Sequence, residues 1–381
     1  MEKSNLIPEL HDKLFSVICA GLDLNAVPFV VSSDDCRELI HIGSKQSILP
    51  IIYRGLKKSG APDEVVRECD KARLRDTKQV IIQNDALQKI CTALNMVHIS
   101  YIPLKGAVLR ELYPQPELRT SCDIDVLVKE DDIMKAVNAI ESITDFKILK
   151  RNYHDISMVN ADVHLELHFS LLENMENIDS LLSRVWNYVV SDENSRCKFT
   201  PEFQIFHTVA HMSYHMVHGG LGIRPFIDLW LLRTKTVYNE NIVRSMCREC
   251  GILVFYEKCI CLVNSWMTGM PVPKDLVILD DYAINGGVFG NRQTVLAARQ
   301  REHRGFDYYF SRIFLSRNIL ENIYPNLKNK PFLIPFYQIR RWFRVLNPKK
   351  REQVQKEIAN VKALSSETID SFDMLLNSLG L

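Results

Sequence analysis

Two aspartates, Asp123 and Asp125, alternate with apolar residues in segment 120–128, which has the sequence Thr-Ser-Cys-Asp-Ile-Asp-Val-Leu-Val. The apolar residues indicate a buried strand, in which alternate side chains share a face. The two carboxylates therefore emerge together, while Ile124 and Val126 point the other way. Because paired acids repel each other and resist burial, their usual partner is a divalent cation, and oxygen ligands suit Mg²⁺ or Mn²⁺. An edge strand with a solvated polar face is the alternative.

A third acid lies in segment 162–169, Asp-Val-His-Leu-Glu-Leu-His-Phe, where polar and apolar residues alternate strictly. This alternation predicts a strand that carries Glu166 on its polar face. If the strand pairs beside the first acidic strand, Glu166 joins Asp123 and Asp125 in a three-carboxylate metal site. Three acids on adjacent strands are difficult to explain as solvated surface alone.

Candidate phosphate-binding residues precede the acidic strand. Residues 98–104 have strand character, and the apolar residues of 108–113 have helical spacing, so Gly106 would lie in the turn that begins a helix. Free N–H groups and the helix dipole at such a turn attract phosphate. Lys105 adds a mobile cation, and Arg119 adds a planar guanidinium that suits phosphate oxygens. Taken singly, the glycine also fits a steric requirement of the turn, and the arginine fits a solvated charge.

Four histidines follow Pro201, a residue that suits the first turn of a helix. Their spacings of four, four and three residues place them on one stripe of that helix. The stripe fits a wall of an active cleft, a hydrogen-bonded stripe between packed helices or a zinc site, and it is the family resemblance of the full set of motifs that favours the cleft wall. The four residues are His207, His211, His215 and His218.

Two further pairs of polar residues are candidates for the same cleft. His164 and His168 flank Glu166, and we expect them to be hydrogen-bonding neighbours rather than ligands, because Mg²⁺ prefers oxygen. Arg224 and Asp228 lie one turn apart on the next helix. Their spacing fits a structural ion pair and a ligand contact equally well.

The order of these patterns predicts an α+β fold, with a small mixed sheet flanked by N-terminal and C-terminal helical regions. Residues 1–95 have helical periodicity, residues 96–195 carry the strands and the candidate chemistry, and residues 196–381 return to helix. Residues 154–159 also alternate loosely before a turn-forming Asn160-Ala161, which predicts a hairpin with the Glu166 strand.

The chain has 381 residues and a net charge of +1, so no broad basic field indicates a large nucleic-acid footprint. We expect no signal peptide and no transmembrane segment, because no long apolar run is present. Ten scattered cysteines suit a reducing cytoplasm. Cys247, Cys250, Cys259 and Cys261 could bind zinc, but their apolar surroundings favour packed core residues.

In this order, the motifs resemble those of nucleotidyltransferases in the DNA polymerase β-like superfamily, and more narrowly its bacterial branch of uncharacterised nucleotidyltransferases. The resemblance extends from about Ser32 to Leu346. The ordered set is specific, whereas any single motif is not. The residues that carry it are Leu104-Lys105-Gly106, Tyr113, Arg119, Asp123-Ile124-Asp125, Glu166-Leu167-His168, His211, His215, Arg224 and Asp228.

Two positions depart from the common superfamily pattern. Gly106 is followed by Ala107, where Gly-Ser or Gly-Gly is common, so a hydroxyl that often touches phosphate is missing. Lys105 is a substitute for that contact. The third acid, Glu166, fits the narrower branch, whereas aspartate is frequent elsewhere.

The resemblance implies metal-dependent transfer of a nucleoside monophosphate from NTP to an acceptor, with release of pyrophosphate. Asp123 and Asp125 would bridge two Mg²⁺ (or Mn²⁺) ions roughly 4 Å apart. Glu166 would bind the second ion and is a candidate acceptor for the proton of a hydroxyl. The triphosphate charge would be neutralised by Lys105, Arg119 and the Gly106 amide.

Two other functions remain open. The chain would be a non-catalytic nucleotide-binding or partner-binding protein if the altered Gly106-Ala107 turn is inactive. It would be a phosphohydrolase if the histidine helix supplies metal ligands. The expected partners are NTP and an unidentified acceptor, either a small molecule or a macromolecule such as an RNA end. Neither the acceptor nor the nucleotide base follows from the sequence.

Overall fold

The computed structural model describes residues 8–24, 30–173, 175–287, 330–343 and 366–381, together with scattered positions between 294 and 327. It confirms a mixed α+β fold with a five-stranded sheet between helical regions. Parts of the predicted C-terminal helical region, including residues 299–313 and 344–365, lie outside the described residues. The division at residues 95 and 195 stays a prediction.

The N-terminal region consists of helices, of which the second begins with a capping box. At the start of the second helix, the Ser32 side chain accepts a hydrogen bond from the Asp35 N–H, and the Asp35 carboxylate accepts one from the Ser32 N–H. Apolar faces of the first three helices then pack together in the main core. The helices are α1 (Pro8–Gly21), α2 (Ser33–Lys45), α3 (Leu49–Lys58), α4 (Asp63–Glu68) and α5 (Asp70–Met96).

The sheet has the strand order β1-β2-β5-β4-β3. β2 pairs in parallel with β5 and antiparallel with β1, so the acidic strand is internal and the edge-strand alternative is wrong. β4 and β5 pair antiparallel, which confirms the predicted hairpin. The strands are β1 (Tyr101–Pro103), β2 (Asp123–Val128), β3 (Lys147–Arg151), β4 (Asp155–Val159) and β5 (His164–His168).

The two faces of this sheet differ in chemistry because side chains alternate along each strand. Ile124 and Val126 of β2 and Leu165 and Leu167 of β5 are buried in an apolar cluster. Residues of α5 and of α7 (Ile133–Ile143) complete that cluster. The opposite face of β2, β5 and β4 is polar, and its members are Asp123, Asp125, His164, Glu166, His168, Asp155 and Ser157.

The segment between β1 and β2 is less helical than its spacing predicts. Helix α6 (Gly106–Leu109) has one turn and is followed by a 3₁₀ turn over Arg110–Leu112. Tyr113 then adopts an extended conformation with φ −79° and ψ 152°. Pro114 is the physical reason, because a residue that precedes proline is disfavoured in the α region.

The chain after the sheet forms a small two-stranded sheet, β6 (Val189–Ser191) and β7 (Cys197–Phe199), and then helices. Pro201 begins the histidine-bearing helix, as predicted, and Thr200 caps it by accepting from the Phe203 N–H. No helix in the described part of the chain has the length and apolar character needed to cross a bilayer. The helices are α8 (Glu176–Leu182), α9 (Pro201–Val217), α10 (Ile223–Lys235), α11 (Glu240–Glu249), α12 (Leu253–Thr268), α13 (Val277–Gly286), α14 (Ile334–Phe343) and α15 (Ser366–Leu379).

The cysteines singled out in the sequence lie mainly in the packing between α11 and α12. Cys247, Cys250 and Cys259 are buried, whereas Cys261 is exposed. Burial raises the pKa of the Cys250 thiol to about 11. These thiols therefore behave as small core residues, in agreement with their apolar surroundings.

Candidate active site

The three predicted acids lie on neighbouring strands. In the parallel pairing of β2 and β5, Asp125 is opposite Glu166 and Asp123 is opposite His164. Ligand atoms of Asp123, His164 and Glu166 lie within 4.8 Å of one another, and so do those of Asp125, Glu166 and His168. The alternation of two separate segments therefore brings their carboxylates together at one sheet position.

Asp125 is the most enclosed of these acids, with an exposed fraction of 4%. Its Oδ1 lies 3.4 Å from Lys105 Nζ and 3.0 Å from His168 Nε2, which donates to it. Burial opposes ionisation of Asp125, but Lys105 and His168 hold its pKa below the ordinary value. Burial also disfavours the charged imidazole, yet Asp125 and Glu166 raise the pKa of His168 to about 9. The carboxylate of Asp125 is therefore ionised and fixed in position.

The pKa of Asp123 is shifted in the opposite direction from that of Asp125. Burial raises its pKa, and the negative charges of Asp125 and Glu166 raise it further. Oxygen donors that converge and repel one another are the donor set that a hard divalent cation stabilises. The arrangement of Asp123, Asp125 and Glu166 therefore fits Mg²⁺ or Mn²⁺.

Lys105 occupies a tight turn between β1 and α6. The Ala107 N–H donates to the Leu104 carbonyl oxygen over 3.1 Å, and Lys105 has φ 40° and ψ −109°. This backbone conformation normally belongs to glycine, and such strain collects at functional sites. The turn holds the lysine side chain, which is 30% exposed, beside Asp125.

Gly106 provides room for its neighbours rather than an unusual backbone conformation. A Cβ at this position would lie 3.0 Å from Arg119 Nη1 and 3.0 Å from Ser121 Oγ. The glycine therefore allows the Arg119 guanidinium to pass close to the backbone of the turn. Its steric role explains the residue type independently of any phosphate contact.

Arg119 and Asp228 form a buried ion pair. Arg119 Nε donates to Oδ1 and Nη2 donates to Oδ2, each over 2.8 Å, and the Tyr113 hydroxyl donates to Oδ1 over 2.8 Å. Arg224, which the spacing suggested as the partner of Asp228, instead donates to the Thr120 carbonyl oxygen over 3.2 Å. Burial lowers the pKa of Arg224, and the nearby Arg119 charge lowers it further.

The histidine helix closes the site from the other side. Glu173 Oε1 lies 2.8 Å from His211 Nδ1, and His211 Nε2 lies 2.9 Å from His215 Nε2. Burial lowers the pKa of His215 to about 3, assisted by the His211 and Lys105 charges, and burial also lowers the pKa of His211. Both imidazoles are therefore neutral at physiological pH. His218, the last histidine of the predicted stripe, is exposed.

A cavity of about 280 Å³ joins these groups. One wall contains Lys105, Asp123 and Asp125, and the facing wall comes from α9 and α10. Glu166, although close to both aspartates, is not among the described residues that line this cavity. The facing wall includes His207, His211, His215, Arg224 and Asp228.

A family model described as uncharacterised nucleotidyltransferase matches residues 32–268. The chain belongs to this family. The match includes the acidic strands, the turn at Lys105 and the facing helices. No curated protein and no solved structure matches the chain. Membership indicates a general role in nucleotidyl transfer.

Sequence reasoning missed two residues that support the lining of this candidate site. Arg110 is buried, and it donates to the Gly106 carbonyl oxygen over 2.9 Å and to Ser121 Oγ over 2.9 Å. It also donates to Gln83 of α5, so it ties the turn to the N-terminal helices. Glu173 follows β5 in an irregular segment without periodicity. Neither residue has a local pattern that would have indicated its role.

Proposed function

We propose that the protein is a metal-dependent nucleotidyltransferase that moves a nucleoside monophosphate from NTP to an acceptor and releases pyrophosphate. The convergence of Asp123, Asp125 and Glu166 beside Lys105 is the observation that carries this proposal. Family membership supports the reaction class. Mg²⁺ or Mn²⁺ is the proposed cofactor.

The three acids are the proposed metal ligands. A divalent cation bound there would neutralise charge on the triphosphate and align the attacking oxygen with the α-phosphorus. His168 keeps Asp125 in place by its hydrogen bond. The positive charge of Lys105 compensates the negative charge of the three acids. The same ammonium group is proposed to bind a phosphate oxygen of the triphosphate.

The triphosphate is proposed to contact Lys105, the turn at Gly106 and the two arginines of the cavity. Asp228 already neutralises the charge of Arg119. The main contribution of Arg119 is therefore to form part of the cavity wall. Arg224 donates to a neutral carbonyl oxygen, which leaves its positive charge available to a phosphate. We therefore rank Arg224 above Arg119 as a phosphate contact.

The acceptor is proposed to lie against the histidine wall. The neutral imidazoles of His211 and His215 can hydrogen-bond to an acceptor hydroxyl and orient it, and the Glu173 carboxylate holds the His211 ring in place. The acceptor oxygen then bonds to the α-phosphorus while the bond to the β-phosphate breaks. Pyrophosphate leaves with the electron pair of that bond. Glu166 is proposed to take the proton of the hydroxyl, because His215, with a pKa of about 3, is too weak a base for this role.

The test is release of pyrophosphate from ATP, CTP, GTP or UTP with Mg²⁺, together with transfer of α-labelled nucleotide to components of a cell extract. Asp123→Asn and Asp125→Asn are expected to lower the rate by at least about a hundredfold while the fold is retained. Asp131→Asn, at an exposed acid after β2, is the matched control. Normal turnover in either active-site variant contradicts the proposal, and nucleotide binding without turnover favours the non-catalytic alternative.

A further inference from the structure

A second group of possible ligands lies on the polar face of the sheet, on the far side of His168 from the acids. Asp155 of β4 is opposite His168 of β5 in the antiparallel pairing. Ligand atoms of His154, Asp155 and His168 lie within 4.8 Å of one another. This group contains two nitrogen donors and one carboxylate, whereas the acidic cluster offers mainly oxygen.

The hydrogen bonding of His168 leaves Nδ1 for another partner, and a metal ion that binds there takes the place of the proton that the imidazolium carries on Nδ1. Nε2 lies 3.0 Å from the Asp125 carboxylate and must carry a proton to donate to it. Nδ1 is buried and has no hydrogen-bond partner among the described residues, and the side chain is only 7% exposed. An unsatisfied buried polar atom is costly. Histidines that bind a metal through one nitrogen commonly donate from the other nitrogen to a carboxylate, as His168 does to Asp125.

His154 and Asp155 each have a possible ligand atom within 4.8 Å of a ring nitrogen of His168. Asp155 is buried, its oxygens accept from Asn152 Nδ2 over 2.8 and 3.1 Å, and His154 Nε2 lies 2.8 Å from Oδ2. The rings of His154 and His168 are stacked, with centroids 5.7 Å apart and an interplanar angle of 15°, so the His154 ring has to rotate to direct its lone pair at an ion shared with His168. His154 is 30% exposed, so an ion from solvent can reach the group.

We propose that His154, Asp155 and His168 form a second cation site that takes a transition-metal ion of the Zn²⁺ class. Two imidazoles and one carboxylate suit such an ion, whereas Mg²⁺ prefers oxygen ligands alone. Because His168 touches both groups, an ion at this site would fix the ring that holds Asp125. This site does not depend on the proposed transfer reaction.

The experiment is Zn²⁺ binding to the metal-stripped full-length protein in excess Mg²⁺, measured by competition with a chromophoric chelator. His154→Ala and Asp155→Asn are expected to weaken Zn²⁺ binding by at least about tenfold. Asp123→Asn, which alters the acidic cluster at a residue whose group of possible ligands does not include His168, and His41→Ala, at an exposed histidine, are expected to bind like the wild type. Co²⁺ in place of Zn²⁺ should give visible absorption bands that the His154 variant loses.

Two results would overturn this site. Zn²⁺ affinity unchanged in His154→Ala would show that the ion does not use this group. Loss of binding in Asp123→Asn would assign the ion to the acidic cluster instead. Asp155 is buried and its replacement can unfold the protein, so the fold of each variant is checked by circular dichroism. The result for His154→Ala, at a partly exposed residue, therefore decides between the outcomes. These outcomes do not depend on whether pyrophosphate release and nucleotide transfer are detected.

Discussion

Arg119 and Asp228 join two separate regions of the chain through a two-point ion pair, with both N···O distances at 2.8 Å. Arg119 precedes strand β2, and Asp228 lies on helix α10. Both side chains are buried, with exposed fractions of 6% and 4%. The pair thus fixes the acidic strand relative to the helices that form the facing wall of the cavity.

This ion pair predicts a large loss of stability when only one partner is removed. Asp228→Ala leaves the buried Arg119 guanidinium without its counter-charge and is expected to lower the free energy of unfolding by about 3–5 kcal/mol. Urea unfolding measures the change. Asp85→Ala breaks an exposed pair with Lys89 and should lower that free energy by less than about 1 kcal/mol. Equal losses in the two variants would show that the Arg119 pair has no special role.

The strained turn at Lys105 predicts a difference between two substitutions. Lys105→Gly and Lys105→Ala both remove the cation, but only glycine adopts φ 40° and ψ −109° without strain. The glycine variant should therefore be more stable than the alanine variant by about 1–3 kcal/mol in thermal or urea unfolding. Both variants should bind NTP equally weakly. A more stable alanine variant would mean that the turn relaxes when the lysine is lost.

The buried histidines predict that mild acid destabilises the fold. Burial lowers the pKa of His207 to about 3, and the His211 and Lys105 charges contribute. An unfolded imidazole titrates near 6.5, so below that pH the unfolded chain takes up a proton that the folded chain excludes. Each such histidine lowers the free energy of unfolding by up to about 1.4 kcal/mol per pH unit below about pH 6.5.

Urea unfolding across this pH range checks the expectation. A His207→Gln variant should show a shallower fall toward acid, while His41→Gln, at an exposed histidine, should retain the wild-type slope. His168 affects stability over a different pH range, because its pKa of about 9 in the folded protein lies above the value in the unfolded chain. Its contribution is complete below about pH 6.5 and is lost as the pH rises through 9. Stability that is independent of pH below 6.5 would contradict the buried, neutral state of His207.

The contact between Glu173 and His211 predicts a defect in transfer without a defect in nucleotide binding. Glu173→Gln removes the charge that orients and stabilises the imidazole, and should lower the transfer rate by about tenfold or more. Binding of a fluorescent NTP analogue should be unchanged, because the Glu173 carboxylate hydrogen-bonds to His211 and not to Lys105 or Arg224, the proposed triphosphate contacts. Glu176→Gln, at a nearby exposed acid, is the control. A variant that loses nucleotide affinity would instead place Glu173 in the triphosphate site.

Local patterns predicted much of the fold. Alternation in three short segments identified β2, β4 and β5 and the faces of their side chains, because a pleated strand repeats every two residues. A proline in the first turn identified the start of α9. The helical spacing after Gly106 overestimated α6, because the effect of Pro114 on the conformation of Tyr113 was not weighed.

The long-range contacts were not accessible to the same reasoning. Arg119 and Asp228 are 109 positions apart, and Glu173 and His211 are 38 apart. Such pairs depend on how the helices pack against the sheet, and helical spacing suggested the wrong partner, Arg224, for Asp228. The strain at Lys105 likewise depends on the tertiary positions of β1 and α6 rather than on residue type.

The amino-acid sequence alone determined which residues carry charge, which strand faces are polar and which family the motifs resemble, since these properties depend on residue type and short-range periodicity. Tertiary structure alone decided that the acidic strand is internal, that Glu166 lies opposite Asp125 and that Arg119 pairs with Asp228. The physical reason is that strand order and helix packing arise from burial of apolar surface across the whole chain. No local pattern contains that information.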